Sequence, residues 1–233
     1  MSSVPVGPLP PHGAPARAVH GVSVRDRAAW LLPVAKRAMD IAIAGAALLV
    51  ALPFFLIVGA LVRADGGPAF YAHPRVGRGG KIFGCLKFRS MVIDSQARLE
   101  ALLAADPAAR AEWEATRKLK NDPRITRVGR FLRATSLDEL PQLINVLKGE
   151  MSIVGPRPVT QSELDSYYGA AAAHYLTVRP GITGLWQVSG RSETSYDQRV
   201  ALDVAYVSQA SLLADIRILL KTPAAVLSRR GAH

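Results

Sequence analysis

Ile41-Ala-Ile-Ala-Gly-Ala-Ala-Leu-Leu-Val-Ala-Leu-Pro-Phe-Phe-Leu-Ile-Val-Gly-Ala-Leu-Val62 is a run of 22 residues without a charge. As a straight helix it would extend about 33 Å, close to the ~30 Å hydrocarbon core of a bilayer. Buried core helices of soluble proteins seldom stay uncharged for so long. Pro53 lies in its middle, where it removes one helical hydrogen bond and crowds the carbonyl four residues back. Two membrane geometries follow: a spanning helix, or one that bends at Pro53 and returns to the face it entered. Lys36 and Arg37 precede the run and Arg63 follows it. Positive charge collects on the cytoplasmic side, so basic residues at both ends do not favour a crossing.

The rest of the chain is strongly basic. Across 233 residues there are 29 Lys+Arg against 18 Asp+Glu, a formal charge of +11, with 49% hydrophobic residues. The charge favours polyanionic partners: nucleic acid, anionic lipid or phosphorylated substrates. Its combination with so much apolar sequence suits a membrane surface better than nucleic acid. The single Cys85 excludes an intramolecular disulfide and a cysteine-only metal cage.

Residues 1–24, rich in Pro, Ala, Gly and Val, read as a disordered tail rather than a cleaved signal peptide. Residues 25–63 read as an N-terminal helical region containing the apolar run, and residues 64–233 as the main folded domain. Asp65-Gly-Gly-Pro68 is a turn. Ala69-Phe-Tyr71 and Lys81-Ile-Phe83 read as strands flanking the loop Arg75-Val-Gly-Arg-Gly-Gly80, which lacks the spacing of known nucleotide-binding loops. Residues 95–120 read as helix, interrupted at Asp106-Pro107, where Asp106 can cap and Pro107 suits a first helical position. Between Arg117 and Arg133 there are seven basic residues and one acid. Arg127, Arg130 and Arg133 recur at spacing three, giving an amphipathic basic helix suited to a membrane surface or simply to solvent. A helix from about Asp138 should close at Gly149. Another follows Pro158 and ends near Leu176, Leu185-Trp-Gln-Val188 reads as strand, and the segment from Tyr196 is helical. Leu212, Leu213, Ile216, Leu219 and Leu220 form one stripe, for core packing or interfacial docking.

The candidate chemistry lies in Thr135-Ser-Leu-Asp-Glu-Leu-Pro141 and Gly155-Pro-Arg-Pro158. Adjacent carboxylates can bind a divalent metal or attack an electrophile. Ser136-Leu-Asp-Glu139 also fits a capping box, but Pro141 would then sit fifth in the helix, where it breaks the ladder. With Asp138 as cap, Pro141 falls third and is harmless. Either placement puts both acids at the positive end of a helix, which should lower their pKa values. An ionised Asp is a competent nucleophile toward phosphorus. Arg157, held between prolines, loses little entropy on gripping a phosphate. Lys87 and Arg89 alternate in strand fashion and would share one face. No zinc-ligand spacing and no Gly-x-Ser-x-Gly elbow occur.

Taken together these motifs resemble the bacterial sugar transferase family, small monotopic phosphoglycosyl transferases acting on polyprenyl phosphate. The resemblance covers about residues 33–232. It rests on Lys36-Arg37 with Asp40, Asp65-Gly-Gly-Pro68, Arg75-Val-Gly77, Lys87-Phe-Arg-Ser-Met91, Arg133 and Ser136-Leu-Asp-Glu-Leu-Pro-Gln142. It continues in Leu147-Lys-Gly-Glu-Met-Ser-Ile-Val-Gly-Pro-Arg-Pro158, Arg179-Pro-Gly-Ile-Thr-Gly-Leu-Trp-Gln-Val188, Asp215, Lys221-Thr222 and Gly231-Ala232. The family's larger members carry extra membrane helices and an N-terminal domain, so the expectation here is the catalytic unit alone.

The resemblance implies an α+β fold, mostly helical. A re-entrant membrane helix bent at Pro53 and interfacial amphipathic helices would surround a small catalytic core with short strands. It implies transfer of a sugar-1-phosphate from a nucleotide diphosphate sugar, usually a UDP-sugar, to polyprenyl (undecaprenyl) phosphate. Asp138 would be the nucleophile, forming an aspartyl-phosphosugar intermediate, and Glu139 would pair with it and help place Mg²⁺. Arg157 would bind substrate phosphate or nucleotide, with Lys87, Arg89 and Arg133 as further phosphate contacts. The partners are then the donor, the polyprenyl phosphate and membrane lipid, not nucleic acid, with a homo-oligomer left open. The place is the cytoplasmic face of the bacterial inner membrane. Leu52 departs from the family, which often has Ser before the bending proline.

Overall fold

The computed structural model describes residues 33–116, 118–190 and 195–227. The tail expected over residues 1–24 lies outside these. The apolar run forms the centre of helix α1 (Pro33–Arg63), which continues through Pro53. Among the described residues it is the one helix long and apolar enough to cross a membrane. Most of its surface is bare: Leu49, Val50, Leu56 and Ile57 are exposed. Both ends are nevertheless packed on the same body. Ala44 joins the core formed by Phe83, Cys85, Val146 and Met151. Val58 and Val62 join Phe88 and Leu132. Residues 31–233 accordingly group as one unit.

A polar knot secures the first end. Asp40, 1% exposed, accepts from Ser152 Oγ and Ile153 N, each at 3.0 Å. Lys36 lies 3.3 Å from Asp40 and 2.9 Å from Asp215, and also donates to Val154 O. Tyr206 donates to Asp215 and Val154 O. Two buried carboxylates thus share one ammonium, and each also accepts from hydroxyl or amide donors, as burial of charge requires. At the second end, Arg89 places all five of its N–H groups: on Val62 O, Pro68 O, Met91 O and both oxygens of Asp65. That pairing holds the Asp65 carboxyl down to about 2.

Strands β1 (Phe70–Val76) and β2 (Ile82–Phe88) form an antiparallel hairpin, longer than the sequence suggested. Gly79 and Gly80 take positive φ at its tip, which only glycine does without strain. Helices α2 (Ser95–Ala105) and α3 (Pro107–Thr116) break at Asp106-Pro107 as expected. Helix α4 (Arg127–Thr135) is capped by Thr126, whose hydroxyl accepts from Gly129 N. Its inner face buries Gly129 and Leu132, while Arg127, Arg130 and Phe131 face outward. Helix α5 (Gln142–Lys148) ends at Gly149 with φ 84°. It sits against β2 through Asn145, 1% exposed, which accepts from Leu86 N and donates to Gly84 O and Glu150. Asn145→Asp would set a carboxylate against two acceptors. It is expected to cost about 3 kcal/mol, read as a lowered denaturation midpoint.

Strands β3 (Ser152–Val154) and β4 (Gly181–Thr183) pair in parallel. The helix expected after Pro158 is broken into α6 (Gln161–Glu163), a π turn over Leu164–Tyr168, a 3-10 turn and α7 (Ala172–Tyr175). Leu185–Val188, read as strand, is a short helix, α8. Gly184, in fully extended backbone, separates it from β4. Helices α9 (Tyr196–Gln209) and α10 (Leu212–Leu227) complete the described chain. The α10 stripe divides. Leu219 packs on the core, whereas Leu213, Ile216 and Leu220 are exposed, because Asp215 and Ile218 take the inward face. The fold is mostly helical with few short strands.

Candidate active site

The chain between α4 and α5 is a single 3-10 turn, Leu137–Glu139, entered through Ser136 at φ 57°. Neither capping arrangement forms. Ser136 makes no side-chain cap bond, and Pro141 stands immediately before α5. The left-handed Ser136 ends α4 abruptly and turns the two acids back toward β2. There Lys87 meets them, with Nζ 2.6 Å from Glu139 Oε1 and 3.9 Å from Asp138 Oδ2. Arg133, on the last turn of α4, is fixed by Nε to Ser90 Oγ at 2.8 Å and its charge also acts on Asp138. Gly129 makes this possible: a Cβ there would collide with the Ser90 backbone.

The acids differ in environment, and the helix-end expectation of two lowered pKa values fails for one of them. Burial pushes Asp138 above the usual aspartate range, against Lys87 and Arg133, with the Glu139 charge adding to the rise. Burial opposes ionisation of Glu139 too, but Lys87, Arg157 and Arg75 outweigh it, and its carboxyl is held below the glutamate range. One turn therefore carries a firmly ionised, paired carboxylate beside a more basic one. A more basic carboxylate is the better nucleophile of the two.

Arg157 comes from the loop after β3. Gly155 in that loop crosses the β4 backbone so closely that a Cβ on Gly155, Gly181 or Gly184 would strike main-chain atoms well inside 3.0 Å. The crossing fixes the loop, and Pro156 is fully buried beneath it. The Arg157 guanidinium lies 5.5 Å from the Trp186 ring centre and carries no hydrogen bond to the described residues. Behind it, Arg75 pairs with Glu163 at 2.8 Å. Glu163 also caps α6 and accepts from Tyr196.

Asp138, Glu139, Lys87, Arg133 and Arg157 are thus brought together. Arg89 is not: every donor it has holds the α1 end and the turn after it. Residues the sequence reading did not assign to the site are Arg75, Trp186, Arg199 and Asp203. Arg75 sat in a quoted motif, but its action on Glu139 depends on the hairpin register. Trp186 was concealed by the strand reading of its segment.

No group of three or more His, Cys, Asp or Glu side chains that could hold a metal occurs among the described residues. Two neighbouring carboxylates fit Mg²⁺, which commonly takes one or two protein carboxylates and completes its shell with substrate phosphates and water. The arrangement can hold a phosphate ester between cations and present it to a carboxylate.

The bacterial sugar transferase family model matches residues 31–229, and the chain belongs to that family. It is 57% identical over 198 residues to an undecaprenyl-phosphate galactose phosphotransferase of Salmonella typhimurium, covering 85% of this chain and 41% of that protein. An uncharacterized sugar transferase of Haemophilus influenzae is 55% identical over 200 residues, covering 86% and 42%. The exopolysaccharide production protein ExoY of Rhizobium meliloti is 53% identical over 201 residues, covering 86% and 88%. The chain thus spans less than half the length of the first two and most of the third.

Proposed function

We propose that this chain is a phosphoglycosyl transferase. It moves a sugar-1-phosphate from a nucleotide diphosphate sugar to undecaprenyl phosphate and so starts assembly of an exopolysaccharide or related glycoconjugate. UDP-galactose and UDP-glucose appear in the names of relatives. The observation that carries the reading is the Asp138-Glu139 turn, with its two carboxylates driven to different basicities beside Lys87, Arg133 and Arg157. An Asp138 oxygen bonds to the phosphorus bearing the sugar, and the bond from that phosphorus to the bridging oxygen breaks, releasing nucleoside monophosphate. A phosphate oxygen of the lipid then displaces Asp138, restoring the carboxylate and giving the polyprenyl diphosphate sugar. Lys87 keeps Glu139 ionised and lowers the cost of a second negative charge on Asp138. Arg157 and Arg133 neutralise the phosphoryl oxygens. Asp138 and Glu139 would hold Mg²⁺, which when bound offsets charge on the diphosphate.

The test is to incubate purified protein with Mg²⁺, undecaprenyl phosphate and a panel of UDP-sugars and to follow UMP. No UMP release with any of them would refute the reading. Lys87→Met removes the cation that most opposes the burial of Asp138. The Asp138 pKa should then rise further, and the acid limb of the rate profile should move to higher pH. An unmoved limb in this variant would show that Lys87 does not act on the ionising group.

The membrane reading draws on α1. A crossing needs about 20 consecutive residues in hydrocarbon. Leu48 and Phe54 both pack on the catalytic unit, which leaves only residues 49–53 between them. We infer that α1 enters and leaves lipid on one side, with the catalytic unit on the cytoplasmic face of the inner membrane. The exposed side chains of α4 and α10 would lie in the interface. Tags before Lys36 and after Arg63 should both label from the cytoplasm. Labelling from opposite sides would show a crossing.

A further inference from the structure

Arg199, on α9, is 7% exposed, yet its Nε and Nη2 have no hydrogen-bond partner among the described residues. Its guanidinium lies between two rings, 4.9 Å from the Trp186 centre and 4.8 Å from the Tyr196 centre. Aromatic faces stabilise the cation but leave its in-plane donors unmet. Nε–H and Nη2–H project in parallel from one edge of the group. That pair matches two oxygens of a phosphate or carboxylate. A buried charged donor without an acceptor is expensive, and Asp203, though it feels the Arg199 charge, offers those two donors no hydrogen bond. Asp203, four residues along α9, accepts from Tyr168 at 2.7 Å and forms no ion pair with Arg199. Burial instead pushes Asp203 up to about 6.

Arg199 is also tied to the site already described. Arg157 lies over the same Trp186 ring, and both guanidiniums act on the Asp203 carboxyl. Arg157 acts in turn on Glu139. Glu139, Arg157, Trp186 and Arg199 are thus linked neighbour to neighbour, with two cations on one ring.

We propose that Arg199 forks the phosphate of the departing nucleoside monophosphate, one phosphate beyond the phosphorus that Asp138 attacks. Arg157 serves the transferred phosphoryl. This rests on the transferase reading above. Trp186 and Tyr196 hold the guanidinium by its faces, so the phosphate would meet the fork in the plane of the group.

The test uses the full chain in lipid nanodiscs, titrated calorimetrically with UMP, with uridine and with undecaprenyl phosphate. Arg199→Met should weaken UMP binding by about tenfold or more while uridine and undecaprenyl phosphate bind as before. Arg199→Lys keeps the charge and the stem but lacks the fork. It should lose several-fold in UMP affinity and serves if the Met variant does not fold. Unchanged UMP affinity in both variants overturns the proposal, and so does an equal loss for uridine, which would mark a packing role. A loss confined to undecaprenyl phosphate would assign the fork to the acceptor instead. If the wild-type protein binds UMP and turns over donor while the variants are unaffected, only this proposal falls. A wild type that binds no UMP and releases none removes the transferase reading itself.

Discussion

Asp138→Asn is expected to abolish transfer, by on the order of 10³-fold or more, while membrane association survives. The amide keeps the size of the side chain and removes its negative oxygen, so the covalent step has no nucleophile. Association should persist because the apolar surface of α1 lies elsewhere. Flotation of the variant with liposomes and UMP release with UDP-sugar check the two halves. Glu139→Gln is the informative companion. Glu139 is the more firmly ionised of the pair and is bonded to Lys87, so its loss should lower the rate without eliminating the phosphoenzyme. If Asp138→Asn still became labelled by radioactive donor and Glu139→Gln did not, the two roles would be exchanged.

Gly181→Ala is expected to lower both stability and activity through a contact remote from the acids. Gly181 and Gly155 cross main chain to main chain, and a single methyl has nowhere to go because the obstruction is backbone on both sides. Overpacking of this kind costs about 2–3 kcal/mol, which for a chain of this size lowers the melting temperature by about 5–10 °C. The yielding part is the Gly155-Pro-Arg-Pro loop, so Arg157 moves with it. The Michaelis constant for donor should rise even when the assay is run well below the melting point. A stable Gly181→Ala variant with normal donor kinetics would show that the loop does not depend on the crossing.

The apolar helix, the hairpin, the break at Asp106-Pro107 and the stop at Gly149 were legible because each depends on neighbours in sequence. The acid pair and Arg157 stood out for the same reason: adjacent carboxylates and a proline-flanked arginine are local patterns. What local patterns could not give was partner choice. Lys87 and Arg89 are two residues apart on one strand, yet Lys87 reaches the acids and Arg89 is consumed by Val62, Asp65, Pro68 and Met91. Strand alternation says which face they share, not which neighbours wait there. The opposed pKa directions of Asp138 and Glu139 were hidden likewise. Helix-end electrostatics predicts the same sign for both, and burial raises both; the tertiary cations Lys87, Arg157 and Arg75, gathered on Glu139, separate them. The short helix at Leu185–Val188 escaped because a four-residue apolar segment carries no period.

The knot around Asp40 bears on how the protein is made. Its two acids come from distant parts of the chain: Asp40 stands four residues from Lys36, whereas Asp215 is translated 179 residues after Lys36 (215 minus 36). At roughly 5–20 residues per second the ribosome needs about 10–35 s to cover that interval. During this time α1 is already complete and apolar enough to partition into lipid, while Asp40 still awaits Ser152 and Ile153, and Lys36 still awaits Asp215. On the membrane reading proposed above, the nascent helix would rest at the bilayer surface as an unfinished anchor, with its charged end kept in water. The order of synthesis would then favour shallow residence over deep insertion.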